Sequence, residues 1–416
     1  MRKKHFPYGP MTLVLAAFVF LAGWFSARYV YRKDVATEVP PSTVTTTATE
    51  ATKPAESTPV ETTVPYEPVD SISVAIFPNL PDLDLAQNIL AEMWAEIEPD
   101  VALEFVYWNC YSDPYPEEID VISFDALFMD YMVENNYIQP MDINSVNNTT
   151  GILPFAMDGA RYNGDLYGLP FLACSYFLVH YAEDEEMCQV QNFGDLYDLL
   201  MQRKEVYYND GLYLSYSDYV ATLYLDALMD YNGTYTTYDE APSVSPPKRA
   251  VSQRMSQIKA MMPESGNYGR GQDFRIRFAR GEGSAVYSYS ESMYYMQDIL
   301  DQLTIRSISY FNNENIPLYF ADIACVGAHV DNPLKKELCN KLINLLASVE
   351  YQQELCYGSG DVQYLLPARE QVYISAMRKY PMYGTLYDLV TDENNRIFRF
   401  GADIYDYMYA VHDALA

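Results

Sequence analysis

The sequence predicts a two-lobed α/β protein that follows an N-terminal hydrophobic helix and a disordered tether. An uncharged apolar run occupies residues 11–26, and residues 34–70 are rich in Thr, Pro and Glu. In the remaining residues, about 350 of them, short apolar strands alternate with helical apolar patterns, which favours a mixed α/β sheet. A chain of that length can form a large core or two lobes.

The first 33 residues have the charge pattern of an export signal. Arg2, Lys3 and Lys4 precede the apolar run, which is longer than a typical signal-peptide core and carries aromatic residues at its far end. Neither a cysteine nor a clear A-x-A cleavage site follows it. We therefore expect a signal anchor that holds an exported protein at the cell surface through a transmembrane helix. A cleaved signal peptide, which would release a secreted protein, is the alternative.

The tether, residues 34–70, contains too few large apolar side chains to bury a core, and its prolines favour an extended chain. We expect it to be a disordered stalk between the membrane and the globular part. No internal repeat is visible.

Composition and charge exclude some functions. The formal net charge is -30, which argues against nucleic-acid binding and suits a cationic ligand. The 40 tyrosines suit a planar polar ligand. Solubility explains most of the charge, and a compositional habit explains the tyrosines equally well. The four histidines share no metal-ligand spacing with Cys or Asp, and no phosphate-binding loop is present, so we predict neither metal nor cofactor.

The first predicted lobe, residues 71–175, opens in the order β-α-β-β-α. Its strands are predicted at 72–78, 101–108 and 120–124, and its helices at 85–97 and 126–134. A hairpin at Asn163-Gly164 then leads through Gly168-Leu169-Pro170 to a strand at 176–179. This order resembles the crossing between lobes in extracellular solute-binding proteins, in which a ligand occupies the cleft.

The second predicted lobe spans residues 176–315, and residues 316–416 return to the first lobe. The apolar pattern predicts helices at 193–201, 219–229, 248–262, 274–280 and 291–303, with a strand at 283–289. It then predicts a strand at 316–326 and helices at 333–357, 367–379 and 401–414.

Cys174 and Glu291 are the residues best placed for chemistry. Cys174 lies at the predicted crossing, where a thiol with a nearby base is nucleophilic, although most buried cysteines are inert. Glu291 follows a strand at a helix start, where a carboxylate is either a helix-dipole partner or a general base. His180 is expected along the same strand and out of reach, which argues against a cysteine hydrolase.

Two aspartates are candidate ligand-binding groups. Asp125 and Asp322 lie at or beside predicted strand ends, where single aspartates are usually caps. Together with Tyr111 and Tyr289, they could instead hold a cationic aromatic ligand. The six cysteines, being irregularly spaced, are mostly expected to be buried small hydrophobic residues, although their even number permits disulfides.

Residues from about 71 to 414 resemble the thiaminase I (thiamine pyridinylase) family in several blocks. These blocks are Pro99-Asp100-Val101, Asp120-Val121, Phe124-Asp125, Ile152-Leu153-Pro154-Phe155-Ala156, Tyr167-Gly168-Leu169-Pro170 with Cys174, Tyr289-Ser290-Glu291-Ser292-Met293, Ile316-Pro317-Leu318, Gln363-Tyr364-Leu365-Leu366-Pro367-Ala368-Arg369 and Asn395-Arg396. The resemblance covers nearly the whole globular part.

The resemblance implies a fold like the type II periplasmic binding proteins, with Cys174 as nucleophile and Glu291 as base. It implies that the cysteine adds to the pyrimidine of thiamine, that the thiazole leaves, and that an amine or another nucleophilic co-substrate replaces it. No metal or cofactor is implied. The residues implied to contact the pyrimidine are Tyr111, Asp125, Tyr289 and Asp322.

The sequence departs from the family at positions expected to line the ligand. Phe77, Asn79 and Phe320 occupy places where the resemblance implies tyrosines, and a cleft tyrosine is missing near Gln272, with Tyr268 as a possible substitute. A thiamine analogue or another pyrimidine is therefore an alternative substrate. A non-catalytic surface receptor for thiamine or a related molecule is the alternative function, since one fold serves both.

Overall fold

A computed structural model of the chain describes residues 66–116, 118–204, 207–209, 217–233, 248–261, 273–311, 317–358 and 360–415. Residues 64–416 form one compact unit. The predicted N-terminal helix, the tether up to residue 65, and Tyr268, Gln272 and Ile316 lie outside the described residues. Among the helices that are described, none is long and apolar enough to cross a membrane.

The described elements alternate between strands and helices along most of the chain. The strands are β1 Ser71–Ala75, β2 Ala102–Phe105, β3 Val121–Asp125, β4 Arg161–Tyr162, β5 Asp165–Leu166, β6 Gly168–Cys174, β7 Tyr176–Tyr181, β8 Tyr207–Asn209, β9 Ala285–Tyr289, β10 Leu303–Arg306, β11 Leu318–Val326, β12 Leu366–Pro367 and β13 Arg396–Ile397. The α-helices are α1 Leu83–Ile97, α2 Met129–Glu134, α3 Pro154–Gly159, α4 Glu185–Gln189, α5 Phe193–Arg203, α6 Ser217–Asn232, α7 Arg249–Ala260, α8 Asp273–Ala279, α9 Pro333–Leu346, α10 Val349–Gln353, α11 Glu370–Ala376, α12 Met382–Val390 and α13 Ile404–Leu415.

A seven-stranded sheet combines strands from the first part of the chain, β1–β3 and β6, with the C-terminal strands β11–β13. Its order is β12-β6-β11-β3-β1-β2, with β13 paired to β11. β1 runs parallel to β2 and β3, whereas β11 runs antiparallel to both β3 and β6. All five residues of β3 and eight of the nine in β11 are buried, which explains their continuous apolar runs. The predicted β-α-β-β-α opening is confirmed.

A second, four-stranded sheet has the order β10-β7-β9-β8. The chain passes from the first sheet to the second at Ser175, between the end of β6 and the start of β7. β7 lies antiparallel to β9, with Tyr176 opposite Tyr289. The end of β6 and the end of β9 therefore meet where the two sheets are joined.

Several elements differ from the sequence prediction. The helix expected at 291–303 is a 3₁₀ helix, Ser290–Gln302, kinked at Met296. The helix expected at 333–357 is interrupted, because the Ser348 side chain accepts a hydrogen bond from the Tyr351 amide and starts α10 anew. The helix expected at 367–379 begins only at Glu370. Among the described strands and α-helices, those that were not predicted are strands β6, β8, β10, β12 and β13 and helices α3, α4 and α12. Pro170 lies within β6 and pairs with Ile323, beside a shift in register at which Phe171 has no partner in β11.

Candidate active site

One pocket lies where the two sheets join, and it collects all nine side chains that the sequence singled out. Its lining residues are Phe77, Asn79, Leu80, Tyr111, Asp125, Leu172, Ala173, Cys174, Thr222, Tyr289, Glu291, Phe320, Asp322 and Leu365. Five of these were not predicted: Leu80, Leu172, Ala173, Thr222 and Leu365. The pocket combines an apolar floor with one thiol and three carboxyl groups, which is the chemistry of a ligand site rather than of a core.

Cys174 and Glu291 are in contact with each other within this pocket. Cys174 is the last residue of β6, and Glu291 lies in the first turn of the 3₁₀ helix that follows β9. The Cys174 Sγ lies 3.9 Å from both Oε1 and Oε2 of Glu291. Both side chains are partly exposed to the pocket. A carboxylate within hydrogen-bond reach of a thiol can accept its proton and leave a thiolate.

Asp125 and Asp322 form an acid pair beside Cys174. They are directly opposite each other on the antiparallel strands β3 and β11. Burial raises the pKa of Asp125 to about 7, although hydrogen bonds from the Leu127 amide and the Tyr111 hydroxyl oppose the shift. Burial, with the nearby charges of Asp125 and Glu291, raises the pKa of Asp322 well above its ordinary value. At neutral pH the pair therefore retains a proton that it can donate to a ligand nitrogen.

The location of Asp322 differs from the expectation. It lies in the middle of β11, beside a shift in register between Asp322 and Ile323, rather than at a strand end. Such an irregularity re-aims a side chain that regular pairing would place elsewhere. Asp125 does end β3, and its Oδ1 accepts a hydrogen bond at 3.0 Å from the Leu127 amide. Asp125 is therefore a cap and a pocket residue at once.

Aromatic rings in two groups contribute to the lining of the pocket. In the first group, Tyr111 donates a hydrogen bond of 2.8 Å to Oδ2 of Asp125, and its ring lies 5.9 Å from that of Phe77. In the second group, the Tyr289 hydroxyl donates at 2.6 Å to the hydroxyl of Tyr176, and Phe320 lies edge-on to Tyr289 at 6.2 Å. Flat rings among the lining residues suit a planar ligand.

Thr222 is the polar wall residue that sequence reasoning missed. It belongs to α6 and is 3% exposed. A threonine within the otherwise apolar and aromatic stretch 220–225 was the available signal, but the helical period alone does not say which helix lines a pocket.

His180 is separated from this chemistry by its own partners. It is fully buried, its Nδ1 lies 2.9 Å from the Tyr181 carbonyl oxygen, and Arg306 Nε donates to its Nε2 at 3.3 Å. None of the six cysteines, all of which lie within the described residues, forms a disulfide. Four of them, Cys110, Cys325, Cys339 and Cys356, are buried, as the sequence led us to expect. In the described part of the chain, no group of three or more His, Cys, Asp or Glu side chains could hold a metal ion.

The chain is similar in sequence and in structure to proteins of one known family. The Thiaminase-1 domain family matches residues 175–311. The chain is 33% identical over 354 residues to Thiaminase-1 of Paenibacillus thiaminolyticus, a match that covers 80% of this chain and 84% of that protein. Its structure is similar to that of Clostridium botulinum thiaminase I in complex with thiamin, with a TM-score of 0.77 and 28% identity over 83% of this chain and 98% of that one.

More distant structures agree on the fold alone. The chain matches the maltose-bound MalE3 of T. maritima with a TM-score of 0.64 and 15% identity, over 83% of this chain and 94% of that one. The described part of the chain therefore has the two-lobed type II periplasmic-binding-protein-like fold that the sequence predicts, with the pocket at the junction of its two sheets.

Proposed function

The chain belongs to the thiaminase I family of thiamine-cleaving transferases, and we propose that its pocket cleaves thiamine at the methylene bridge through a covalent intermediate on Cys174. In this proposal, Glu291 is the base, Asp125 and Asp322 hold the pyrimidine, and an amine or another nucleophile takes the place of the thiazole.

The observation that carries the proposal is the contact between Cys174 and Glu291. The two Sγ–Oε distances of 3.9 Å support the proposal, since a carboxylate at that distance can accept the thiol proton, and the acid pair lies in the same pocket. A receptor that only binds a ligand has no need of a thiol with its own base. The apolar surroundings make each charge in the pocket more effective than it would be in water.

The chemistry balances with these residues alone. Glu291 accepts the thiol proton, and the Cys174 sulfur forms a bond to a ring carbon of the pyrimidine. The ring electrons then expel the thiazole, whose nitrogen keeps the bonding pair of the methylene C–N bond. The incoming nucleophile attacks the methylene carbon, and its surplus proton passes to a pocket carboxylate. Finally, the C–S bond breaks, the pyrimidine ring is restored and the thiol recovers its proton from Glu291.

The acid pair acts in the first of these steps. Negative charge accumulates on the ring nitrogens as the sulfur adds, and a protonated carboxyl of the pair donates a hydrogen bond to one of them. The raised pKa of Asp125, about 7, supplies that proton near neutral pH. The acidic chain also attracts a cation such as thiamine.

Turnover of thiamine is the direct test. We expect the purified full-length protein to consume thiamine when aniline is supplied, with equal amounts of free thiazole and of the pyrimidine–aniline adduct measured by mass spectrometry. Cys174→Ser should abolish both products, whereas Cys188→Ser, at an exposed cysteine outside the pocket, should not. Binding of thiamine without either product, and with Cys174→Ser indistinguishable from wild type, would establish a receptor instead.

The range of substrates that the protein cleaves is tested by a second set of measurements in the same assay. Phe77 and Phe320 present rings without hydroxyls, and Asn79 presents an amide, so the pocket offers a different set of polar contacts from three tyrosines. Thiamine and pyrimidine-substituted thiamine analogues should be compared at equal concentration. A preference for an analogue over thiamine would keep the mechanism and reassign the substrate.

The proposal extends to location: residues 1–33 anchor the chain at the cell surface and the tether holds the enzyme away from the membrane. The basic start and the uncharged run support it. After export in a bacterial host, the protein should sediment with membranes, resist carbonate extraction and be accessible to external protease. Recovery in the medium as a shortened chain would favour the cleaved signal peptide.

A further inference from the structure

Cys174 and Glu291 lie just beyond the end of one strand pair, Cys174 at the end of β6 and Glu291 at the start of the 3₁₀ helix. In β7 and β9, the opposite residues run from His180 and Ala285 to Tyr176 and Tyr289. Cys174 lies two residues before Tyr176, and Glu291 lies two residues after Tyr289. If the same register continued beyond the last pair, Cys174 and Glu291 would be opposite each other.

The last pair before this site is unusually well fixed. The rings of Tyr176 and Tyr289 stack with centroids 4.4 Å apart, and the Tyr289 hydroxyl donates to the Tyr176 hydroxyl at 2.6 Å. Stacking and a short hydrogen bond between the same two side chains restrict both sliding and rotation. A slip of this pair by one residue would displace the start of the 3₁₀ helix, and Glu291 with it, relative to the thiol at the end of β6.

Phe320, in β11 of the first sheet, packs against both tyrosines. It is the partner of Cys174 in the pairing of β11 with β6. Its ring packs edge-on against Tyr176 at 5.9 Å and against Tyr289 at 6.2 Å. The thiol is thus placed by the first sheet, the carboxylate by the second, and the tyrosine pair lies at the point where they meet.

We propose that Tyr176 is a positioning residue for the reaction: together with Tyr289, it fixes the register that sets the distance between Cys174 Sγ and the Glu291 carboxylate. Tyr176 is 4% exposed and does not line the pocket, so it acts through Tyr289 and the two strands rather than on the substrate. The inference builds on the roles of Cys174 and Glu291 in the proposed function.

The first experiment measures the coupling between thiol and carboxylate without thiamine. In a Cys188→Ser background, which removes the exposed cysteine, the rate of Cys174 alkylation by iodoacetamide is followed against pH, with the site confirmed by peptide mass spectrometry. Glu291→Gln should move the pH profile, because it removes the charge beside the thiol. Tyr176→Phe should move it in the same direction by a smaller amount.

Tyr373→Phe is the matched control. Tyr373 is also a fully buried tyrosine, but its hydroxyl has no hydrogen-bond partner among the described residues. Its removal should leave the alkylation profile of Cys174 at the wild-type position. Superposition of the Tyr176→Phe profile on the wild-type profile would overturn the proposal, and so would a Glu291→Gln profile that does not move.

A double-mutant cycle tests whether the tyrosines act as a unit. In thiamine turnover, Tyr176→Phe should lower kcat about 5- to 10-fold with little change in KM, as expected for a small misplacement of reacting groups. Adding Tyr176→Phe to Tyr289→Phe should cause no further loss. Losses that multiply would show independent roles and refute the pair. If the wild type does not cleave thiamine, the proposed function fails, while the alkylation profiles still decide the role of Tyr176.

Discussion

Two clusters in the described part of the chain each combine a cysteine with tyrosines. In the first, Cys174 lines the pocket together with Tyr289, whose ring stacks on that of Tyr176. In the second, nearer the C-terminus, the rings of Tyr357, Tyr364 and Tyr373 near Cys356 lie between 5.7 and 6.0 Å from the ring of Tyr383. Cys356 is fully buried, and burial raises the pKa of its thiol to about 12.

The difference between the clusters lies in access and charge rather than in aromatic content. Cys174 is partly exposed and has both carboxylate oxygens of Glu291 at 3.9 Å. Cys356 instead directs its Sγ at the Leu365 carbonyl oxygen, 4.0 Å away. The abundance of tyrosine therefore serves packing in one place and a ligand site in the other. A thiol becomes reactive only where a base and an open space accompany it.

Replacing Cys174 and Cys356 in separate variants should give the largest difference between the two clusters. Cys174→Ala should lower thiamine cleavage at least about 10³-fold, because the covalent route is lost, and should leave the melting temperature nearly unchanged. Cys356→Ala should keep most of the activity and destabilise the fold by about 1 kcal/mol, because it opens a small cavity. Activity and thermal melts of both variants check this. Equal activity losses would erase the distinction between the clusters.

The carboxylate should account for the next largest effect. Glu291→Gln keeps the shape of the side chain and removes the proton acceptor, so kcat should fall about 10²- to 10³-fold. Glu354→Gln is a matched change beside Cys356, in the turn Glu354–Gly358, and should leave kcat close to wild type. Steady-state kinetics at several thiamine concentrations would separate kcat from KM. A change confined to KM would make Glu291 a binding group rather than the base.

Sequence reasoning selected Cys174 and Glu291, which are in contact in the structure, but it did not give the geometry around them. Cys174 and Glu291 were predicted from their places at a crossing and a strand end, and from the family resemblance. The position of Asp322 was not, because its irregular pairing depends on β11 meeting two other strands at once. Tyr176 was seen only as a strand residue, since its partner lies 113 positions away along the chain. Local pattern predicts elements, whereas register and contacts between distant elements depend on the whole fold.

The acid pair should make stability depend on pH in the acid-to-neutral range, whereas the raised pKa of Cys356, about 12, affects stability only in the alkaline range. Asp125 has a pKa raised from 3.8 to about 7 by burial. Between about pH 4 and pH 7 the native state therefore holds a proton that the unfolded chain has lost, so stability should fall as pH rises through this range. Asp125→Asn should flatten that decline relative to wild type, with a difference of up to about 4 kcal/mol at pH 8. Chemical unfolding at pH 4.5 and pH 8 measures it, and parallel slopes for the two proteins would contradict the raised pKa.

The hydroxyl of Tyr111 should have the smallest effect. It donates to Oδ2 of Asp125 at 2.8 Å, and this hydrogen bond lowers the pKa of that carboxyl against the effect of burial. Tyr111→Phe keeps the ring against Phe128 but removes the donor, so the Asp125 transition should move to higher pH by about half a unit to one unit. Tyr383→Phe, in the Cys356 cluster, should leave that transition in place. In the Tyr111→Phe variant, the acid pair stays protonated to higher pH and can still donate a hydrogen bond to the pyrimidine there. We therefore expect the activity of this variant, relative to wild type, to be retained better above neutral pH than below it. A uniform loss at every pH would show that Tyr111 contacts the ligand directly rather than through Asp125.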